Sequence, residues 1–223
     1  PRAWQDYREN IHPYKFRWWR NYSSQLGNWG VHYFDAIRWM LGEEAPETVT
    51  AVGGRFAVDD DRTIPDTLEV TFRMPSGSIL VFGQYEASGV KSTILKGEVE
   101  LRGTEATAVM DNAYGEKVGY NIWPTGKGQY RQKDSKAVEE RVEIVQGNMT
   151  DLHIRNFLDC VKSRKECNCT LEMGHRSTTF AHLATIALDT ESVIRWDAGK
   201  EVITNNSEAN RMLHYNYREP WEL

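Results

Sequence analysis

Three polar residues lie at helical spacing in the segment GNWGVHYFDAIRWMLG, residues 27–42: Asn28, His32 and Asp35. Positions i, i+4 and i+7 share one face of an α-helix, so the three side chains form a row. A neutral imidazole can take a proton from a hydroxyl group, a nearby carboxylate can orient the ring, and an amide can donate to a substrate oxygen. The row therefore fits proton abstraction from an alcohol whose carbon loses hydride to an acceptor.

Each residue of this row also has a purely structural explanation. Asn28 is a residue type favoured at helix N-caps, and His32 could be a core histidine whose hydrogen bonds are satisfied, since half-buried histidines are common. Asp35 could simply pair with Arg38, one helical turn further on, or with a neighbouring loop. Spacing alone favours the structural explanation over the chemical one.

The cysteines give a weaker signal. Cys160, Cys167 and Cys169 follow the pattern C-x6-C-x-C, which is not a standard zinc spacing and would need a fourth ligand such as His175. Reduced structural thiols are the simpler interpretation, so no metal site is predicted.

The elements that position the row begin with its own helix. Apolar residues recur at helical spacing over residues 29–41, which predicts a helix with Asn28 as its N-cap and Gly42 as its end. A strand is predicted over residues 48–58, with a bulge at its Gly-Gly pair. The alternating segments 66–74 and 78–87 flank a Pro-Ser-Gly turn and predict a β-hairpin, whose inner face would carry Leu68, Val70, Phe72 and Met74.

Shorter strands and then helices follow. Strands are predicted within residues 92–103, 106–112, 115–123, 141–145 and 192–197. Two long helices are predicted over residues 148–166 and 174–190. The first would carry Leu152, Phe157, Leu158 and Val161 along one side, and the second would bury Phe180, Leu183, Ile186 and Ala187. A last short helix would begin at an N-cap at Ser207, and the tail would pack through Trp221.

This order of elements predicts an α+β fold. The sheet would be open and mostly antiparallel, with helices on one face and the other face available for association with further copies of the chain. The chain has 223 residues, a formal net charge of −5 and 40% hydrophobic residues. It shows no basic run and no apolar run of membrane-spanning length, so neither a nucleic-acid partner nor a membrane partner is predicted.

The sequence resembles the family of glucose–fructose oxidoreductase, inositol dehydrogenase and MocA. Members carry a D-x-G-x-H-x-x-D signature at the start of the first helix of their C-terminal domain, and this chain reads N-W-G-V-H-Y-F-D over residues 28–35. The segments HIRNFLDCVKSRKE, EMGHRST and EANRMLHYNYREPWEL are similar to the closing region of one branch. The resemblance covers residues 13 to 223 and implies a single C-terminal domain for substrate binding and oligomerisation over residues 1–223.

The resemblance implies roles by position. His32 matches the histidine taken as general base on the substrate hydroxyl, and Asp35 matches a polar residue of the substrate site. Asn28 stands where many relatives have Asp, and an amide cannot tune the histidine as an anion would. Arg17, Trp18 and Trp19 precede the helix and are candidates for the substrate pocket; plain aromatic packing with an exposed Arg17 is the alternative.

The resemblance also implies a cofactor, NAD or NADP, that the chain does not hold by itself. No G-x-G-x-x-G follows a strand and opens a helix, and the Glu-Lys-Pro segment typical of the family is missing. The dinucleotide-binding domain is therefore expected in sequence outside this chain.

The sequence is compatible with three functions. The first is dehydrogenation of a sugar or polyol, with His32 as the base. The second is glycoside cleavage through transient oxidation, with the bound nicotinamide recycled in each turnover. The third is a non-catalytic carbohydrate-binding or oligomerisation domain. The sequence leaves the substrate, the choice between NAD and NADP, and a cytoplasmic or exported location undecided.

Overall fold

The computed structural model describes residue 9 and residues 15–88, 98–110, 119–128, 133–143 and 149–221. The chain divides into two compact units. The first combines residues 1–89 with residues 169–223, and the second comprises residues 90–168. Residues 92–97, 111–112, 115–118 and 144–145 of the predicted strands lie outside the described residues.

The first unit contains a five-stranded sheet in the order β3-β2-β1-β8-β9. Its strands are β1 (Thr48–Gly54), β2 (Thr67–Arg73), β3 (Ile79–Tyr85), β8 (Ile194–Asp197) and β9 (Val202–Ile203). Every pairing is antiparallel. The predicted α+β class with an antiparallel sheet is confirmed.

The predicted β2–β3 hairpin is confirmed, and it closes at Gly77, whose φ of +89° lies in the region that glycine tolerates best. Successive strand residues point to opposite faces of a sheet. Leu68, Val70 and Phe72 are accordingly buried on the inner face, and Met74 is buried directly after the strand.

Helix α3 (Leu171–Asp189) supplies the other side of the core. The Thr170 side chain caps its first turn by accepting a hydrogen bond from the Met173 amide at 3.2 Å. The predicted inner face is confirmed, because Phe180, Leu183, Ile186 and Ala187 are all buried. Phe180 meets Phe72 of β2 at a centroid distance of 5.1 Å, and so joins helix and sheet through an aromatic contact.

The helix that carries the polar row begins earlier than predicted. A 3₁₀-helix (Lys15–Trp18) and a π-helix (Leu26–Gly30) precede α1 (Val31–Leu41), and the π-helix runs directly into α1. Asn28 is therefore not an N-cap. It lies inside the π-helix, where its backbone N–H donates to the Ser24 carbonyl at 2.9 Å. The predicted end of the helix is confirmed, since Gly42 adopts the left-handed conformation with φ +67°.

The Gly53-Gly54 pair does not form a bulge. β1 pairs with β2 without interruption from Thr48 to Gly54. A Cβ on Gly53 would lie 2.5 Å from the Thr67 carbonyl oxygen, so the glycine permits close approach of the two strands.

Asp66 organises the loop between β1 and β2. Its buried carboxylate accepts hydrogen bonds from the backbone amides of Phe56, Ala57 and Val58 at 2.9–3.0 Å and from the Thr67 hydroxyl at 2.9 Å. These donors stabilise the ionised form, and they hold the pKa of Asp66 well below its usual range.

The second unit contains a four-stranded antiparallel sheet in the order β4-β5-β6-β7. Its strands are β4 (Val99–Arg102), β5 (Ala106–Met110), β6 (Gly119–Pro124) and β7 (Glu140–Glu143), and helix α2 (Met149–Ser163) follows. The predicted helix is present, but the apolar side chains along it are 40–67% exposed: Leu152, Phe157, Leu158 and Val161.

Two predictions about the C-terminal segment are wrong. Helix α4 (Ser207–Arg211) is capped by Asn206, not Ser207, because the Asn206 side chain accepts from the amides of Glu208 and Ala209. The Trp221 side chain does not pack the tail down, since it is 54% exposed.

Candidate functional site

Contacts between α1 and α3 fix the position of the helix that carries Asn28, His32 and Asp35. Arg38 is 6% exposed and reaches across to α3, where its guanidinium donates to Ser177 Oγ at 3.0 Å and to the Met173 carbonyl at 3.3 Å. It also donates to the Glu44 carboxylate at 2.9 Å and to the Glu44 carbonyl at 3.1 Å. This set of hydrogen bonds holds α1 in a defined rotation relative to α3.

Asp35 belongs to the edge of this network. Its Oδ1 accepts a hydrogen bond from Ser177 Oγ at 2.7 Å and lies 3.9 Å from Arg38 Nη1. The Asp35 side chain is nevertheless 49% exposed. The Ser177 hydroxyl of α3 therefore fixes the orientation of the Asp35 carboxylate, and the exposed part of the carboxylate is accessible to a ligand.

His32 is exposed on α1, and among the described residues none hydrogen-bonds to its ring. Asn28 is half-buried, and its side-chain amide likewise has no hydrogen-bond partner within the described ranges. No hydrogen bond joins Asn28, His32 and Asp35 to one another. The helix presents these side chains to solvent without tying the imidazole to a fixed partner.

The Arg17–Trp19 segment is held by the loop that precedes β2. The Thr63 amide donates to the Trp18 carbonyl at 3.0 Å, and the Arg62 guanidinium lies 5.4 Å from the centre of the Trp18 ring. Arg62 is buried and forms ion pairs with Asp60 and Glu86. The hydrogen bond from Arg62 lowers the pKa of Asp60, whereas burial raises the pKa of Glu86. Trp18 is thus packed against a charged cluster of the first unit.

At least two cavities lie among the described residues of the first unit. The larger has a volume of about 500 Å³ and is lined by residues of the π-helix, β1, the loop before β2 and the end of α3. The smaller, of about 190 Å³, is lined by His175, His182 and His214 among others. His32, Asn28 and Asp35 line neither cavity, and the same holds for Arg17, Trp18 and Trp19.

The larger cavity brings in two residues that sequence reasoning missed, Arg20 and Gln25. Gln25 immediately precedes the π-helix and lies outside the helix predicted over residues 29–41. Arg20 forms an ion pair with Asp189 at 2.7 Å, and these residues are 169 positions apart. No local pattern could have revealed such a long-range pair.

His175 does not act as a fourth ligand for the cysteines. Its Nε2 lies 2.7 Å from Glu201 Oε1. Across the part of the chain that the structure describes, no group of three or more His, Cys, Asp or Glu side chains is arranged to hold a metal ion. None of the helices in the described ranges combines the length and the apolar character needed to cross a bilayer.

Two family models match the sequence and together cover nearly all of it. One, described as the C-terminal alpha/beta domain of an oxidoreductase family, matches residues 102–223, and the other, described as the GFO/IDH/MocA C-terminal domain, matches residues 2–109. The chain belongs to the GFO/IDH/MocA oxidoreductase family. The resemblance read from residues 28–35 and from the closing segments is therefore confirmed. A search of curated proteins found no match.

Solved structures share the fold of this GFO/IDH/MocA domain. An aldose-aldose oxidoreductase from Caulobacter crescentus, complexed with glycerol, is 14% identical with a TM-score of 0.62, over 82% of this chain and 51% of its own. An NAD-binding protein from Listeria innocua is 13% identical with a TM-score of 0.58, over 82% and 55%. A UDP-N-acetylglucosamine 3-dehydrogenase from Acidithiobacillus ferrooxidans is 17% identical with a TM-score of 0.51, over 72% and 45%. The chain thus spans about half the length of these structures.

Proposed function

We propose that this chain is the C-terminal substrate domain, over residues 1–223, of an NAD(P)-dependent oxidoreductase that acts on a sugar or polyol. The proposal rests on His32. Its side chain is exposed on α1 within the family's signature segment, and its ring forms no hydrogen bond with the described residues. An imidazole in this state is available to a substrate hydroxyl. A histidine with a structural role would instead be buried and paired.

The strand pairing of the described residues supports a cofactor site that lies outside them. Every strand pairing among them is antiparallel, and a dinucleotide-binding unit needs parallel strands joined by a helix. NAD or NADP would therefore be bound by a separate domain of the full-length protein, where the nicotinamide would supply the hydride acceptor. The similar NAD-binding protein from Listeria innocua supports this cofactor class.

Within this chain the chemistry divides among three side chains. His32 accepts the proton of the substrate hydroxyl. Asp35, oriented by Ser177, accepts a hydrogen bond from a second hydroxyl, and Asn28 donates to a substrate oxygen. Arg17, Trp18 and Trp19 complete the substrate-binding surface, with the aromatic rings facing sugar C–H groups. A sugar substrate is also consistent with two of the similar structures, an aldose-aldose oxidoreductase and a UDP-N-acetylglucosamine 3-dehydrogenase.

The outer face of the five-stranded sheet suits association with a second copy of the chain. It exposes apolar side chains on β1 and β3, the two strands that flank β2: Val52 at 78%, Ile79 at 69% and Val81 at 61%. Covering such a face removes apolar surface from water at about 25 cal/mol per Å². Light scattering on the full-length protein would detect the oligomer, and a monomer that persists at high protein concentration would exclude this association.

The test of function is a substrate screen on the full-length protein. Sugars and polyols are incubated with NAD⁺ or NADP⁺, and both reduced nicotinamide and sugar products are measured. Accumulation of NADH or NADPH with an oxidised sugar supports simple dehydrogenation. Cleaved product without net cofactor reduction would point to the transient-oxidation mechanism. Sugar binding with neither reaction would leave a binding domain and refute the proposed function.

A further inference from the structure

The C-terminal end of α2 is followed by a chain reversal that brings two cysteines together. The last helical residue is Ser163, and Arg164 then adopts the left-handed conformation with φ +58°. The backbone N–H of Arg164 donates to the Cys160 carbonyl at 2.8 Å, which ends the helix and turns the chain back. Residues 166–168 therefore return alongside the last turns of α2.

Hydrogen bonds hold the returning segment against the helix on both sides of Cys167. Before it, the Glu166 carbonyl accepts from the Cys160 thiol at 3.2 Å. After it, the Asn168 backbone N–H donates to Asn156 Oδ1 at 3.0 Å, and Asn156 Nδ2 donates to Cys160 Sγ at 3.8 Å. Asn156 and Cys160 are four residues apart and share one face of α2. Cys167 is therefore fixed next to that face.

The sulfur atoms of Cys160 and Cys167 lie within reach of each other. The Glu166 carbonyl belongs to the peptide unit that ends at Cys167, so Cys160 Sγ lies within about 6 Å of the Cys167 Cα. Burial raises the pKa of the Cys160 thiol, and a hydrogen bond with the Cys167 thiol raises it further. Both residues are half-buried free thiols, whereas Cys169 is exposed. A bond between the first two sulfur atoms requires rotation of side chains and no movement of the helix.

We propose that Cys160 and Cys167 form a reversible disulfide by exchange with a low-molecular-weight disulfide, and that Cys169 takes no part in this bond. The bond fastens the segment after α2 covalently to the last turn of the helix. This modification site lies outside the residues proposed to contact substrate or cofactor. It therefore does not rest on the proposed function.

The exchange proceeds in two steps. The Cys167 thiolate attacks one sulfur of the small disulfide, which gives a mixed disulfide and releases one small thiol. The Cys160 thiolate then attacks the Cys167 sulfur, forms the internal bond and releases the second small thiol. In total, two protein S–H bonds are lost, one protein S–S bond forms, and two protons and two electrons pass to the oxidant. Cys160 reacts second because the Glu166 carbonyl and the raised pKa retain its proton.

The experiment treats the folded full-length protein with oxidised glutathione, blocks the remaining thiols with iodoacetamide and digests the unreduced protein with trypsin. Trypsin cuts after Lys162 and Lys165, so the peptides 156–162 and 166–176 stay together only when a disulfide joins them. Mass spectrometry should find this linked pair as the main oxidised product, and dithiothreitol should separate it. Cys169→Ser should keep the wild-type yield of the linked pair, whereas Cys167→Ser should lower the yield by about tenfold or more.

Two comparisons test whether the fold itself brings these thiols together. Oxidation in urea removes the contacts around Cys167, and the products should then become a mixture of the pairings that three cysteines allow. Asn156→Ala removes the acceptor for the Asn168 N–H, and it should slow formation of the internal bond by about threefold to tenfold. His153→Ala, at an exposed position on the same helix, is the matched control and should react at the wild-type rate.

Three results would overturn the proposal. In the first, Cys160 and Cys167 stay free or carry only mixed glutathione disulfides. In the second, the linked pair disappears in Cys169→Ser. In the third, the same mixture of pairings forms with and without urea. Loss of turnover in His32→Ala would leave each of these measurements unaffected.

Discussion

The two long helices show how differently the same sequence pattern can be used. α3 and α2 both carry apolar residues at helical spacing. In α3 these residues are buried against the five-stranded sheet, and Phe180 is 0% exposed. In α2 the corresponding side chains are exposed to solvent, and Phe157 is 56% exposed. Periodicity therefore predicts a helix and its apolar side, but the partner of that side depends on the rest of the fold.

The two sheets also differ in how far their side chains are buried. β2 alternates buried and exposed residues along its length, and the buried ones meet α3. In the second sheet, among the described strand residues, Val109 and Gly119 are the buried positions. The first unit thus has a core of its own, whereas the described part of the second unit is closer to a layer that further contacts would stabilise.

The largest expected effect is at Phe180. Phe180→Ala removes the ring that contacts Phe34 and Phe72, and it should lower the free energy of unfolding by about 3–5 kcal/mol. Urea unfolding followed by circular dichroism measures this change. A loss below about 1 kcal/mol would mean that the core of the first unit is not centred on this aromatic cluster.

A substantial effect with a defined pH dependence is expected at Asp66. Its pKa is lowered in the folded state, so the ionised carboxylate stabilises the fold above the unfolded-state pKa of about 3.9, and this contribution falls as the pH drops below that value. Asp66→Asn should melt at a lower temperature than the wild type at neutral pH. The difference between the two proteins should shrink towards pH 3. A difference that stays constant with pH would exclude the buried carboxylate as its cause.

The same substitution in both sheets compares the units directly. Val70→Ala at a fully buried position of β2 should cost about 2–3 kcal/mol. Val109→Ala in β5 should cost about 1 kcal/mol, because this side chain is 7% exposed and has fewer buried side chains around it. Equal losses in parallel unfolding experiments would show that the second sheet has a core as dense as that of the first.

The smallest effect is expected on α2. Phe157→Ala should change the free energy of unfolding of the isolated chain by about 1 kcal/mol or less, because the ring is half-exposed already. A loss comparable with that of Phe180→Ala would mean that this face of α2 is covered in solution.

Sequence reasoning predicted the parts of this fold that depend on local pattern. The β2–β3 hairpin was predictable because strict alternation flanks a Pro-Ser-Gly turn, and the inner face of α3 was predictable from its apolar spacing. The end of α1 was predictable because Gly42 adopts a conformation that other residues avoid.

The failures each have a tertiary cause. Asn28 was expected as a cap because its residue type favours caps, but the preceding residues already form a helical turn that continues into α1. The Gly53-Gly54 pair suggested a bulge, whereas its role is to admit the neighbouring strand. The cap of α4 was displaced by one residue because Asn206 satisfies two amides at once.

The candidate site was only partly predictable. The identity of His32, Asn28 and Asp35 came from spacing and resemblance, but spacing cannot show that Ser177 orients Asp35, since 142 positions separate them. Gln25 was missed for the same reason, because its burial and its lack of a partner arise only after β1 and α3 have folded around it.

Turnover by the full-length protein with His32→Asn tests the central claim most directly, with His153→Asn on α2 as the matched exposed-histidine control. We expect kcat for the sugar or polyol to fall by about 10²–10⁴-fold in His32→Asn, with the melting temperature unchanged, while the control retains wild-type turnover. A kcat within a few-fold of the wild type in His32→Asn would contradict the assignment of His32 as the base.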